Sequence, residues 1–159
     1  MYFTTLLTPL GRLLIKATNT HVYTICFDDL ITNEHPNLIT DEAKTQLVEY
    51  FDSKRHKFSF PILQNGTDFQ QTVWKQILNI EAGKPVSYAR LSKTMNKPLA
   101  IRAIAAANAK NKLLIAVPCH RVIGSTGMLV GYAAELWRKK WLLAHETKLT
   151  GIGQSTLIF

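Results

Sequence analysis

The chain has 159 residues, room for one substantial domain or two small lobes, and a formal charge of +8 at neutral pH. Apolar residues make up 47%, which fits a globular core and excludes a disordered chain. No apolar run reaches the roughly 20 residues that span a bilayer, and "MYFTTLLTPLGRLL" lacks a basic flank followed by an apolar stretch, so the expected setting is cytoplasmic, without a membrane partner.

In chain order, "YFTTLLT", "RLLIKAT" and "HVYTICF" are separated by turn chemistry at "PLG" and "NT" and predict a small antiparallel sheet. "TDEAKTQLVEYFDS" follows with helical spacing at Ala43, Leu47, Val48, Tyr50 and Phe51, and Thr40 or Asp41 as N-cap. "KFSFPIL" alternates briefly and is expected as a further strand. "QNGTD" marks a boundary, giving an N-terminal α/β lobe at 1–64 and a mostly helical lobe at 65–159, an α+β chain overall. The lobes differ in charge: six Lys/Arg against seven Asp/Glu in the first, thirteen against four in the second. Such polarity suits a polyanion partner for the second lobe.

Within that lobe Thr67 is the expected cap of a helix burying Phe69, Val73, Ile77 and Ile80. "EAGKP" lacks the first glycine and the hydroxyl of a phosphate loop and is set aside. Ser87 should cap "SYARLSKTMN", with Leu91 and Met95 inward, and "LAIRAIAAANAK" follows as the second element of a helix-turn-helix. That second helix is rich in alanine, with Arg102 near its start. Methyl groups allow close approach to a backbone, and one long cation among them suits the DNA minor groove; tight helix packing would use the same alanines. "LLIAVPC" is expected as a buried extended segment. "ELWRKKWLLAHE" predicts a closing helix with Leu136, Trp137 and Leu143 inward and Arg138, Lys139 and Lys140 in solvent.

The chemistry concentrates in "PCHRVI". Of the two cysteines, Cys26 sits in a strand pattern as core, and no CxxC or His/Cys cluster supports a metal or other cofactor. Cys119 is either inert core or a nucleophile, and a nucleophile needs a base or positive neighbour. His120 is adjacent in sequence, but extended neighbours point apart, so contact requires a bend at Pro118 or a bridging water. Glu146, one of four acids in the basic lobe, is a candidate to orient the imidazole. Arg121 can contact a phosphate or serve as an internal brace.

"PCHRVI", preceded by "AANAKNKLLIAV" and followed by "GYAAELWRKKWLLAHE", resembles the O6-alkylguanine-DNA alkyltransferases, the methylated-DNA–protein-cysteine methyltransferases. "GTDFQQTVW" and "SYARLS" match upstream elements in the same order, so the resemblance covers residues 65 to 147. It implies that Cys119 accepts an alkyl group from O6-alkylguanine, and from O4-alkylthymine, in one irreversible turnover without a cofactor. His120 would take the thiol proton, Glu146 would hold the imidazole, Tyr88 would protonate a ring nitrogen of the flipped base, and Asn111 would brace the turn before the cysteine. Arg102, with Ala103 beside it, would enter the minor groove of duplex DNA and fill the gap left by the extruded nucleotide. Tyr132, Ala133, Ala134 and Val122 would border the substrate pocket, the carbonyls of Cys119 and Val122 reading the exocyclic amine. A monomer is expected.

Two departures matter. Lys112 replaces the proline that follows the family's asparagine, and Ala134 and Glu135 replace two glycines after the tyrosine, which predicts a narrower alkyl pocket. Competing readings are a non-catalytic lesion sensor, which would lack the acceptor cysteine, and a helix-turn-helix regulator, which would carry polar base-reading side chains on its second helix.

Overall fold

The three alternating stretches pair as an antiparallel meander of β1 (Tyr2–Thr8), β2 (Gly11–Ala17) and β3 (Val22–Phe27) in the computed structural model, which describes residues 1–29, 33–124, 132 and 134–152. Thr8 pairs with Gly11 across the first turn, where φ of 123° at Gly11 is a conformation side chains avoid. A register shift at Lys16/Ala17 lets Val22 join Leu13, Ile15, Ala17 and Ile25 on one fully buried face. Helix α1 (Leu38–Phe51) covers that sheet with Ala43, Leu47 and Tyr50, one stripe at i, i+4 and i+7. Its N-cap is Asn37 rather than Thr40 or Asp41: Thr40 is the reciprocal member of a capping box, its amide donating to Asn37 Oδ1 at 2.9 Å.

The strand expected over "KFSFPIL" is absent; only Ile62 bridges to Val22. Pro61 has no N–H to extend the ladder. The chain forms two compact units, residues 1–64 with 112–116 and residues 65–111 with 117 onward. In the first unit Lys112 O and the Leu114 amide bond the backbone of Ile25. The segment is buried but not extended: Ile115 has φ of 72°, a strained value for a β-branched residue, and the Ala116 amide turns back onto Leu114 O.

In the second unit α2 (Asp68–Leu78) begins at Thr67, which forms a capping box with Gln70, and buries Val73, Trp74 and Ile77, leaving Phe69 half-buried. Trp74 Nε1 donates to Ala107 O at 2.9 Å, and its ring lies so close to Gly66 that a Cβ there would collide. The two-residue β4 (Val86–Ser87) leads into α3 (Tyr88–Thr94), whose Ser87 cap accepts from the Arg90 amide. Asn96, at φ of 57°, reverses the chain into α4 (Ile101–Ala109), completing the helix-turn-helix; Leu91 is buried and Met95 half-buried. A single 3-10 turn at Cys119–Arg121 runs into β5 (Val122–Ile123), which pairs in parallel with β4, Val86 opposite Val122 and Ser87 opposite Ile123.

Helix α5 (Leu136–Thr150) buries Leu143 as expected, but not Leu136 or Trp137. Lys139, Leu142, Leu143 and Glu146 form its buried stripe, while Leu136 and Trp137 stand half-exposed, with Arg138 over the Trp137 ring at 4.9 Å. His145 is buried and stacks on Trp141. Among the described residues no helix is long and apolar enough to cross a membrane.

Candidate active site

The 3-10 turn supplies the bend that an extended chain would have denied. Cys119 N–H bonds Val117 O at 2.7 Å and Arg121 N–H bonds Pro118 O at 2.9 Å, folding the Cys-His-Arg run into a tight loop in which all three side chains are buried. Burial pushes the Cys119 thiol up to about 11. Hydrogen bonds from the Asn111 side chain and from the backbone N–H groups of Cys119 and His120, together with the charge of Lys139, act in the opposite direction. The resting sulfur is therefore a protonated thiol surrounded by groups that favour its anion. Asn111 also donates to Val117 O at 2.9 Å, bracing the approach to Cys119.

His120 Nε2 lies 2.8 Å from Glu146 Oε2. Because a carboxylate only accepts, the ring proton sits on Nε2 and Nδ1 carries the lone pair. Burial lowers the His120 pKa and outweighs the opposing pull of Glu146, so the imidazole is neutral and basic at Nδ1. Nδ1 has no hydrogen-bond partner among the described residues, so the ring does not bond the thiol directly. Arg121 is the internal brace: Nε reaches Glu146 Oε1 at 2.8 Å, a terminal nitrogen reaches Oε2 at 2.9 Å, and the other holds Ile80 O at 2.7 Å. Burial alone would raise the Glu146 carboxyl, but His120 and Arg121 together hold it well below the usual carboxylate range.

The β4–β5 pairing brings the start of α3 alongside the residues that follow the cysteine, and Tyr88 is buried there. Asn108 Nδ2 donates both to Tyr88 Oη at 3.0 Å and to Cys119 O at 3.3 Å. Burial raises the phenol pKa, and the Asn108 hydrogen bond partly offsets it. Lys139, expected in solvent, is fully buried with Nζ 2.6 Å from Val122 O. Burial brings its pKa down to about 8, with Cys119 as the opposing influence.

The remaining expected residues divide into two groups. Arg102 and Ala103 are exposed on α4 together with Ala106, away from the buried Ile104, Ala107 and Asn108. Ala134 is buried and Tyr132 has its hydroxyl buried without a partner among the described residues, whereas Ala133 lies outside them. Glu135 has φ of 80°, a conformation that favours glycine. Cys26 is half-buried in β3. Sequence reading missed Asn108 and Lys139; the signals were a lone amide in an alanine helix and a lysine in phase with Leu142, Leu143 and Glu146.

A buried thiol, a neutral imidazole and an orienting carboxylate, carried on a unit with a helix-turn-helix, define a cysteine-dependent group-transfer site. The family model described as the DNA binding domain of 6-O-methylguanine DNA methyltransferase matches residues 68–148, and that protein's ribonuclease-like domain matches residues 1–64. A constitutive methylated-DNA–protein-cysteine methyltransferase of Bacillus subtilis is 42% identical over 144 residues, 83% of this chain and 86% of the relative. One from Shigella flexneri is 46% identical over 117 residues, 73% of this chain and 66% of the relative. The crystal structure of Mycobacterium tuberculosis OGT in complex with DNA superposes with a TM-score of 0.85 at 33% identity, covering 94% of each chain. The chain belongs to the methylated-DNA–protein-cysteine methyltransferase family.

Proposed function

We propose that the protein repairs DNA by moving an alkyl group, methyl above all, from guanine O6 or thymine O4 to Sγ of Cys119, once per molecule. The observation that carries this reading is a buried thiol beside a neutral imidazole whose Nε2 proton is fixed on Glu146. The thiol proton passes through a bridging water to His120 Nδ1, and the sulfur attacks the alkyl carbon. An S–C bond forms as the C–O bond breaks, and the electron pair moves into the guanine. Tyr88 gives its phenolic proton to a ring nitrogen, so that neutral guanine leaves. The thiol's proton then passes from His120 through solvent to the phenolate, which balances the charges. The thioether has no good leaving group, so the protein is consumed.

The target lies inside a stacked duplex and must be rotated out, at a cost of a few kcal/mol. The exposed face of α4, with Arg102, Ala103 and Ala106, would lie in the minor groove and Arg102 would fill the gap. That face lacks the polar base-reading side chains of a major-groove regulator. The carbonyl of Val122 accepts Lys139 Nζ and that of Cys119 accepts both the Asn108 amide and the Val122 N–H, so the exocyclic amine of guanine would share these acceptors with the donors they already hold. Tyr132 and Ala134 would line the alkyl pocket, and the protein would act as a cytoplasmic monomer.

Duplex DNA with one O6-methylguanine, followed by peptide mass mapping, tests the reading. One methyl gain on the Cys119 peptide, absent in Cys119→Ser, is expected; several turnovers per molecule, or methyl on Cys26, would overturn it. The added Cβ of Ala134 should also make O6-benzylguanine react about tenfold more slowly than O6-methylguanine in the same duplex. Equal single-turnover rates would remove that restriction.

A further inference from the structure

Asn108 is 3% exposed in a helix otherwise built from alanine and isoleucine around it, a position where an apolar side chain would pack without any hydrogen bond to satisfy. Its orientation follows from its partners. Cys119 O can only accept, so the amide nitrogen faces it, and the same nitrogen is 3.0 Å from Tyr88 Oη. The two N–H bonds of the amide therefore serve two acceptors, while Oδ1 has no partner among the described residues. One acceptor is the phenol; the other is the carbonyl of the cysteine itself, which also takes the Val122 amide at the end of the 3-10 turn.

We propose that Asn108 is a positioning residue for alkyl transfer, registering the Tyr88 phenol against the Cys119 turn and holding the phenol oxygen as an acceptor. This rests on the reading of Tyr88 as proton donor. With one lone pair of Oη occupied by the amide, the phenolic O–H points away from Asn108, free to meet a base nitrogen. As that proton leaves, the amide N–H is already aimed at the oxygen that gains charge, so no reorganisation is needed. The hydrogen bond to Cys119 O fixes this donor relative to the sulfur, so one side chain sets both ends of the reaction. Tyr88 and Cys119 come from different parts of the chain, and the short β4–β5 pairing alone leaves the phenol free to rotate about its own side-chain torsions.

The test is a double-mutant cycle on single-turnover methyl transfer, with Tyr88 observed by carbon NMR in protein labelled at tyrosine Cζ. Asn108→Leu is expected to slow transfer about tenfold in the wild-type background and by less than about twofold in Tyr88→Phe. Asn108→Ser, smaller and polar, serves as the second variant, and thermal melts confirm that each is folded. The Tyr88 resonance, assigned by its loss in Tyr88→Phe, should titrate at higher pH in both variants, with the Cys119 thiol as the other ionisable group acting on it. Equal slowing in both backgrounds, or an unmoved Tyr88 titration, overturns the proposal. Wild-type speed in Tyr88→Phe would instead remove Tyr88 as proton donor, and the role of Asn108 with it.

Discussion

Glu146→Ala is expected to lower the stability of the protein by about 3–5 kcal/mol, because it strands two buried partners at once. Arg121 would lose both carboxylate contacts, keeping only Ile80 O for its guanidinium, and His120 Nε2 would lose its acceptor. For a chain of this length that corresponds to a fall in Tm of roughly 10 °C or more. Glu146→Gln separates charge from shape: the amide fills the same volume but no longer dictates which imidazole nitrogen carries the proton. Alkyl transfer in that variant should fall about a hundredfold or more even where it is folded. The wild type should also weaken in acid, in two stages. His120 has a folded pKa below its ordinary value, so the unfolded chain takes up its proton first and stability is lost as pH falls below about 6.5. Glu146 is likewise lowered, so its contribution is present above about 4.3 and is lost as pH falls toward the folded value. Chemical denaturation across pH 3 to 8 checks both stages, and the second should vanish in Glu146→Ala. A Tm within about 2 °C of wild type would show that the Arg121–Glu146–His120 cluster contributes little to the fold.

That cluster was partly legible in the sequence, and the reason lies in which of its contacts are between side chains. A scarce acid in a basic lobe singles out Glu146, and a cysteine beside a histidine singles out the thiol. The same logic fails at Lys139, because its partner is the backbone carbonyl of Val122, which has no signature in the sequence. It fails again at β4 and β5, where two-residue strands are too short to show any alternation. Asn37 went unseen as a cap because apolar residues Leu38 and Ile39 precede the acidic run that looks like a helix start. The segment before Cys119 misleads for another reason: five apolar residues read as a strand, but Ile115 takes a left-handed backbone that composition does not disclose. Where caps are formed by the local sequence, as at Thr67 with Gln70 and Ser87 with the Arg90 amide, reading and structure agree.

Arg102→Ala is expected to slow repair of an O6-alkylguanine in duplex DNA by about thirty- to a hundredfold, the rate equivalent of about 2–3 kcal/mol of lost support for the extruded state. Reaction with the free base O6-benzylguanine should change by less than about twofold, since no nucleotide has to be extruded. The side chain is exposed on α4, so neither folding nor the thiol should respond. The competing role for an exposed arginine on a basic surface is a phosphate contact, and salt dependence separates the two. A phosphate contact would weaken binding to damaged and undamaged duplex alike and reduce the salt slope by about one. It would not slow the reaction once the DNA is saturated with protein. A gap-filling arginine acts after binding, so its loss should persist at saturation and shrink on a lesion in a single strand or opposite an abasic position. Arg102→Lys keeps the charge but not the planar group that would stack between neighbouring bases, and should therefore fall between wild type and Arg102→Ala under saturation. Equal slowing on duplex and free base would place Arg102 in the chemistry or the fold instead, and would detach α4 from base extrusion.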